Sequence, residues 1–445
     1  MVQRVLLVFL LGLLTSALED FTQKQHMFTQ LRTHFHLPLQ EAGSFQQRYW
    51  TVDDYWNQGP MFLYICGPWQ CPGVPQEHDF PLHLARNASG RFIVLEHRYY
   101  GKSLPYAFSS MLPQLFFYHD VEQTLADIVQ FIRVMNKQMQ QKQKWVLVGC
   151  GYSGALAAWM RTRYPDLVDV AWASSATVVP SLEFPEYDKQ VYLSAMKSGQ
   201  NCVDAIRRIN QYSESCYESG TTQEVTDFFN VTREFAATAD KRPVLYYVSG
   251  VVGLLIEKGH RSEMCSAITQ SQDPKDNLKA LAEVVAKYNL ASSKLFALNA
   301  LRSLIWTPEN SGRQWYWQRC NQLGWLPVPS EYQMRSKYLD LPFWKWYCNA
   351  IYDYPGGLDL PNTNLTRQDL NYMGSQIIYP YGDEDPWKWA GLLETENEDI
   401  TIVNIDCPDC GHCVDLTQPN SKDSQPLAEA KALIQSQIKS WLNIN

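Results

Sequence analysis

Three short segments carry residue types that can hydrolyse an ester or amide bond. The first is the glycine-rich turn 149–155 with Ser153, the second contains Asp385, and the third contains His412. A serine that gives its proton to a histidine, which an aspartate orients, forms a covalent acyl intermediate. The order nucleophile, acid, histidine along the chain is one of the known orders of such triads. The segments therefore predict a hydrolytic centre if the fold brings them together.

The elements around these segments predict an α/β fold. Short apolar runs at 49–52 and 61–65 are typical of neighbouring strands, and 92–96, 145–148 and 168–173 follow the same pattern. Apolar residues at helical spacing over 121–139, and a second helix over about 154–164, separate the last three runs. Continuously apolar strands alternating with helices predict a parallel sheet covered on both faces.

A long helical segment interrupts this pattern. Helical spacing dominates at 200–213, 274–290 and 291–305, and strand patterns return at 375–379 and 400–405 before a last helix over about 426–442. We predict an α/β-hydrolase core with a large helical cap insertion. The predicted division is a signal peptide, a first core part, the cap and a second core part, at 1–17, 18–176, 177–371 and 372–445.

Several longer motifs resemble one family of serine exopeptidases. These are the stretch 96–105, similar to the family's EHRYYGxSxP, together with 156–159, 164–165 and 385–387. The family contains lysosomal Pro-X carboxypeptidase, dipeptidyl peptidase II and thymus-specific serine protease. The resemblance covers nearly the whole mature chain and implies peptidases that favour proline next to the cut bond.

The resemblance assigns the catalytic acid to Asp385 and the catalytic histidine to His412, but it assigns the nucleophile to a glycine. The family's GGSYxGxLAAW aligns without a gap to residues 149–159, so Gly151 stands where serine is expected. Glycine has no atom that can form the acyl intermediate, and removing the nucleophile of a serine protease lowers turnover on the order of a million-fold. Glycine also tolerates the strained backbone of such a turn. We therefore predict a catalytically impaired homologue that binds peptides, including proline-containing ones.

The alternative is an active carboxypeptidase or dipeptidyl peptidase that uses Ser153 with Asp385 and His412. Two residues along a helix rotate a side chain by about 200° and advance it by about 3 Å, which points Ser153 away from His412. Cys150 is a weaker substitute, because it would have to face the same pocket. The first oxyanion donor is expected to be the amide of Tyr152, and the second belongs to the loop 66–71, where Pro68 has no amide hydrogen.

Composition and the amino terminus indicate the compartment. A net charge of −8, from 38 Lys and Arg against 46 Asp and Glu, provides no basic field for nucleic acid. Arg4, the apolar run 5–14 and the small residues 15–17 form a signal-peptide pattern, and that run is too short for a stable membrane anchor. We predict a secreted or lysosomal protein with glycosylation sequons at Asn87, Asn230 and Asn364.

The eleven cysteines agree with an oxidising compartment. We expect up to five disulfides, with Cys150 unpaired at the end of a buried strand. The cluster Cys407, Cys410, His412 and Cys413 resembles a metal site, but disulfides are favoured in a secreted chain, so no metal and no cofactor is predicted. The resemblance leaves a homodimer open.

Overall fold

The computed structural model describes residues 21–35, 43–106, 116–140, 142–236, 238–352 and 374–444. The predicted signal peptide and Asn364 lie outside these residues. The described strands are β1 (Gln23–Leu31), β2 (Ser44–Val52), β3 (Met61–Ile65), β4 (Arg91–Leu95), β5 (Trp145–Cys150), β6 (Val170–Ser174), β7 (Ser181–Glu183), β8 (Gly324–Leu326), β9 (Ile377–Gly382) and β10 (Ile400–Ile405).

Eight of these strands form one sheet in the order β1-β2-β4-β3-β5-β6-β9-β10. The pairs β1·β2 and β2·β4 are antiparallel, and the remaining neighbours are parallel. Strands β3, β5 and β6 are buried along their whole length, as expected for a parallel sheet covered on both faces. This is the arrangement of an α/β-hydrolase core, and the predicted fold class is confirmed.

The predicted pairing of the first two apolar runs is wrong. Strand β4 lies between β2 and β3, and Arg91 at its start forms a 2.6 Å ion pair with Asp53 just after β2. After β3 the chain therefore passes through a helix and returns to the sheet to place β4 between β2 and β3. Strand β1 is not among the predicted strands, because most of its residues are polar and its first part is mostly exposed, so it contains no apolar run.

The described helices are α1 (Phe80–Asn87), α2 (Val121–Gln138), α3 (Tyr152–Arg163), α4 (Pro185–Lys197), α5 (Gln200–Ser219), α6 (Gln223–Phe228), α7 (Thr232–Ala236), α8 (Arg242–Glu257), α9 (Arg261–Ile268), α10 (Pro274–Lys287), α11 (Leu298–Arg302), α12 (Gly312–Gln318), α13 (Leu341–Tyr352) and α14 (Gln425–Leu442). Helices α1 and α14 pack on one face of the sheet, and α2 and α3 pack on the other. In the described part of the chain, no helix combines the length and apolar character needed to cross a membrane.

Helices α4 to α13 lie between β6 and β9 and form the helical region that sequence periodicity predicts. The predicted helix over 291–305 is wrong, because this segment contains only a 3-10 turn and the five-residue α11. The hydroxyl of Tyr347 donates to the Phe296 carbonyl at 2.6 Å, and Ala297 is extended. A side chain of α13 therefore uses a carbonyl that a continuous helix would need.

Candidate active site

The turn between β5 and α3 contains Gly151, the predicted nucleophile position. Strand β5 ends at Cys150 and α3 begins at Tyr152, so Gly151 alone forms the turn, with φ +61° and ψ −119°. Residues other than glycine rarely adopt this backbone conformation. A Cβ atom on Gly151 would lie 2.7 Å from Nε2 of His412. A side chain at position 151 therefore points directly at the imidazole.

Asp385 and His412 lie together across from this turn. Asp385 follows β9, is fully buried, and accepts a 2.9 Å hydrogen bond from the amide of Trp387. Its other carboxylate oxygen lies 2.9 Å from Nδ1 of His412. The amide of His412 donates to the Glu257 carbonyl at the end of α8 at 2.8 Å. These contacts orient the ring with Nε2 towards Gly151.

Electrostatics favour the charged form of His412. Burial by itself lowers its pKa, but the carboxylate of Asp385, helped by Glu257, outweighs burial and raises the pKa of His412 above its usual value of 6.5. The His412 side chain remains 12% exposed. The pair can accept and hold a proton at Nε2, as a general base does.

A disulfide joins the turn to the histidine loop. Cys150 bonds Cys413, with Cα atoms 5.8 Å apart and a sequence separation of 263. The prediction that Cys150 is unpaired is wrong, because β5 ends beside the loop that follows β10. The free cysteine is Cys216, which is buried in the cap.

The other disulfides confirm the predicted oxidised state. They join Cys66 to Cys71, Cys202 to Cys265, Cys320 to Cys348 and Cys407 to Cys410. The ligand atoms of Cys150, His412 and Cys413 lie within 4.8 Å of one another. Both sulfurs belong to the disulfide, however, and a metal needs thiolates.

Ser153 faces away from the acid-base pair. It is 1% exposed, its hydroxyl donates to the Cys150 carbonyl, and it accepts from the Cys150 amide, both at 3.0 Å. Ser153 does not belong to the set of described residues that line the cavity beside Gly151. Its hydroxyl caps the end of β5.

The two predicted oxyanion elements border that cavity. Tyr152 is the first residue of α3, where backbone amides have no partner within the helix. Its hydroxyl accepts from Gln318 at 2.8 Å. The loop 66–71 is closed by its disulfide and contributes Pro68 and Trp69 to the cavity wall.

The cavity has a volume of about 410 Å³ and reaches from Gly151 and His412 into the helical region. This size is within the usual range of small-ligand pockets. Its aromatic lining includes Trp69, Tyr187, Tyr246, Trp315, Trp325 and Trp387. Trp387 belongs to a motif that the sequence singled out. Trp69 lies in the predicted oxyanion loop 66–71, and the other four have no distinguishing signal, because aromatic residues are abundant along this chain.

Two buried arginines in the cavity wall were not predicted. Arg319 and Arg335 are each 4% exposed. They lie in the segment between α12 and α13, where sequence patterns indicate only helices and turns.

At the surface, Asn87 and Asn230 are exposed, as their proposed glycosylation requires.

The fold and this site define an α/β-hydrolase that has a buried Asp–His pair beside the turn after β5 and a helical cap. The family model described as "Serine carboxypeptidase S28" matches residues 33–434, and the chain belongs to this family of serine peptidases.

Relatives match most of the chain. A probable serine protease EDA2 from Arabidopsis thaliana is 29% identical over 389 residues, covering 84% of this chain and 77% of the relative. The human thymus-specific serine protease is 24% identical, covering 91% and 84%. The mouse lysosomal Pro-X carboxypeptidase is 25% identical, covering 92% and 87%. The predicted family resemblance is confirmed.

Proposed function

We propose that this protein is a secretory-pathway member of the S28 family that binds peptides in its cavity without efficient hydrolysis. The observation that carries the proposal is the position of Gly151, whose absent side chain would point at Nε2 of His412. Acyl transfer needs an oxygen there to attack the substrate carbonyl. His412, oriented by Asp385, can then act as a base, but position 151 offers it no hydroxyl to activate.

The space at Gly151 supports the same proposal. Real Cβ atoms essentially never approach another heavy atom to less than 3.0 Å, and a Cβ here would lie 2.7 Å from Nε2 and 3.2 Å from Cε1 of His412. The imidazole therefore occupies part of the volume that a serine side chain needs. A serine could be accommodated only after a small retreat of the ring.

The early loop gives further support. In an α/β-hydrolase the second oxyanion donor is a backbone amide of an early loop. Pro68 provides none, and the amide of Trp69 already donates to the Gly67 carbonyl at 2.9 Å. Losing one oxyanion donor lowers turnover by about 100- to 1000-fold in a serine protease. This loss would add to that of the nucleophile.

We propose a secreted or lysosomal location, reached through the predicted signal peptide at 1–17. Five disulfides fit an oxidising compartment. The raised pKa of His412 fits an acidic one, because it keeps the folded protein stable with the imidazole protonated.

A fluorophosphonate probe tests the loss of catalysis. We expect no labelling of the glycosylated mature protein beyond that of a heat-denatured sample. Stoichiometric labelling that disappears in Ser153→Ala would overturn the proposal and establish the active alternative. Calorimetric titration with proline-containing peptides tests binding. We expect a saturable heat of binding.

A matched variant shows whether the peptide occupies the cavity. Trp315→Ala removes an aromatic wall of the cavity, whereas Trp441→Ala removes a tryptophan at the opposite face of the sheet. We expect the first variant to lose peptide affinity and the second to keep it.

A further inference from the structure

The cavity wall contains two guanidinium groups that catalysis does not use. Arg319 begins the π-helical turn Arg319–Leu323, and Arg335 lies between β8 and α13. Both are almost completely buried and both line the cavity. Burying a cation is costly unless an anion or hydrogen-bond acceptors compensate for the lost water.

Arg319 has only neutral partners. Its guanidinium donates to the Gly324 carbonyl at 3.4 Å and to the Trp325 carbonyl, and it lies over the Tyr316 ring at 5.4 Å. Among the described residues, no carboxylate lies within the 4.0 Å salt-bridge distance of Arg319. Within the described residues, no carboxylate therefore neutralises its charge.

Arg335 is only partly neutralised. Its Nη1 donates to the Pro327 carbonyl at 3.1 Å, and its Nε lies 3.5 Å from the buried carboxylate of Asp188. That Nε makes no hydrogen bond in the described part of the chain. Asp188 instead accepts from the amide and hydroxyl of Ser330. Of the two buried guanidinium groups, only that of Arg335 therefore has a carboxylate close to it among the described residues.

The other charged residues of the cavity do not remove this imbalance. Lys294 and Glu309 are exposed, so water screens them, and they have opposite signs. Glu257 accepts from the indole of Trp387 at 2.8 Å and lies beside His412, whose pKa it helps to raise. The buried wall around Arg319 and Arg335 therefore retains an excess of positive charge.

We infer that Arg319 and Arg335 bind the terminal α-carboxylate of a peptide whose last residues occupy the cavity. This inference rests on the proposed peptide-binding function. A guanidinium presents parallel N–H donors that match both oxygens of a carboxylate, and such bonds strengthen away from water. The surrounding aromatic rings provide the apolar contact for the adjacent side chains.

Three N-acetylated peptides of one proline-containing sequence test the inference by titration calorimetry on the glycosylated full chain at neutral pH. The first ends in a free carboxylate, the second in an amide, and the third in an amide after a glutamate. We expect the free acid to bind at least about tenfold more tightly than both amides, as for a desolvated charged hydrogen bond.

The outcomes separate this inference from the proposed function. Equal affinity of the acid and the plain amide overturns the carboxylate site but leaves peptide binding intact. Tight binding of the glutamate peptide assigns the arginines to an acidic side chain and overturns the terminal assignment. Absence of binding by all three peptides overturns the proposed function and this inference together.

Variants locate the site. Arg319→Gln leaves no buried carboxylate without a partner, and it should reduce the acid-to-amide affinity ratio from about tenfold to near one. Arg319→Lys keeps the charge without the fork and should restore part of the ratio. Lys294→Gln removes an exposed cation of the same cavity and should leave the ratio unchanged. An unchanged ratio in folded Arg319→Gln contradicts the inference, and the wild-type peptide comparison decides if that variant does not fold.

Discussion

The acid-base half of the site and its nucleophile half differ in how deeply they are tied into the fold. Asp385 caps the turn that follows it, and His412 is held by its backbone and by the adjacent disulfide. Gly151 makes only backbone contacts, in a conformation that glycine adopts more readily than any other residue. Glycine at position 151 therefore costs the fold little, whereas replacing Asp385 or His412 would remove structural contacts.

The strongest way to break this contrast is to restore the missing oxygen. After a small shift of the His412 ring, Gly151→Ser places a hydroxyl beside Nε2. It should increase hydrolysis of a proline-containing peptide ester by about a thousand-fold, only part of the million-fold that a nucleophile is worth. Fluorophosphonate labelling and single-turnover kinetics measure the gain. A folded but inert variant would mean that damage at Pro68 or elsewhere also blocks catalysis.

Gly151→Ala is the matched control. It introduces the same positive-φ strain and the same contact with His412, but it supplies no oxygen. Both variants should lose about 1–3 kcal/mol of unfolding free energy, and only the serine variant should gain activity. Equal activities would refute the role assigned to position 151.

The next effect concerns the covalent link between the two halves. Cys150→Ala with Cys413→Ala opens a loop of 263 positions and should lower the unfolding free energy by about 2–5 kcal/mol in denaturant titrations. In the Gly151→Ser background it should also reduce probe labelling. Cys202→Ala with Cys265→Ala opens a disulfide of the cap and should lower stability without affecting labelling.

A smaller effect concerns the proton on His412. Asp385→Asn removes the main group that raises the pKa of His412, so this pKa should fall, because burial then acts with less opposition. Carbon-13 labelling of histidine Cε1 follows the titration. Glu257→Gln removes a weaker contribution and should lower the pKa less. A greater shift in the glutamate variant would contradict the assigned partnership.

The smallest effect concerns pH-dependent stability near the histidine loop. Burial raises the pKa of Asp415 to about 6, although its bonds to Ser174 and Trp172 oppose the rise. The folded state therefore binds the proton more tightly than the unfolded state, and stability increases as pH falls through 6. We expect a gain of about 1 kcal/mol between pH 7 and pH 5.

Asp415→Asn should remove this gain in stability. Carboxylates whose pKa is lowered in the folded state, such as Asp383, should still make the protein less stable as the pH falls further. Parallel denaturation curves of wild type and variant measure the difference. A constant offset between the two proteins over this pH range would refute the role of Asp415.

Sequence patterns located the elements around the site well. Strand β3 was predicted at its observed bounds, and the helix predicted over 121–139 ends one residue earlier in the structure. Strand β3 is an unbroken apolar run and α2 has apolar residues at helical spacing, so the local sequence is enough to predict both. The helix prediction for 291–305 is wrong because a contact from α13, which local periodicity does not reveal, interrupts the helix. The prediction that Cys150 is unpaired is wrong because its partner, Cys413, is distant in the sequence.

The sequence by itself determined the family, the α/β class and the absence of an oxygen at position 151, because each depends on residue identity in a local, ordered pattern. Only the tertiary structure decided that position 151 points at His412, that Cys150 pairs with Cys413, and that Arg319 and Arg335 share one cavity. These relations join residues far apart in the chain. They depend on how the sheet and the helices pack, which no local pattern records.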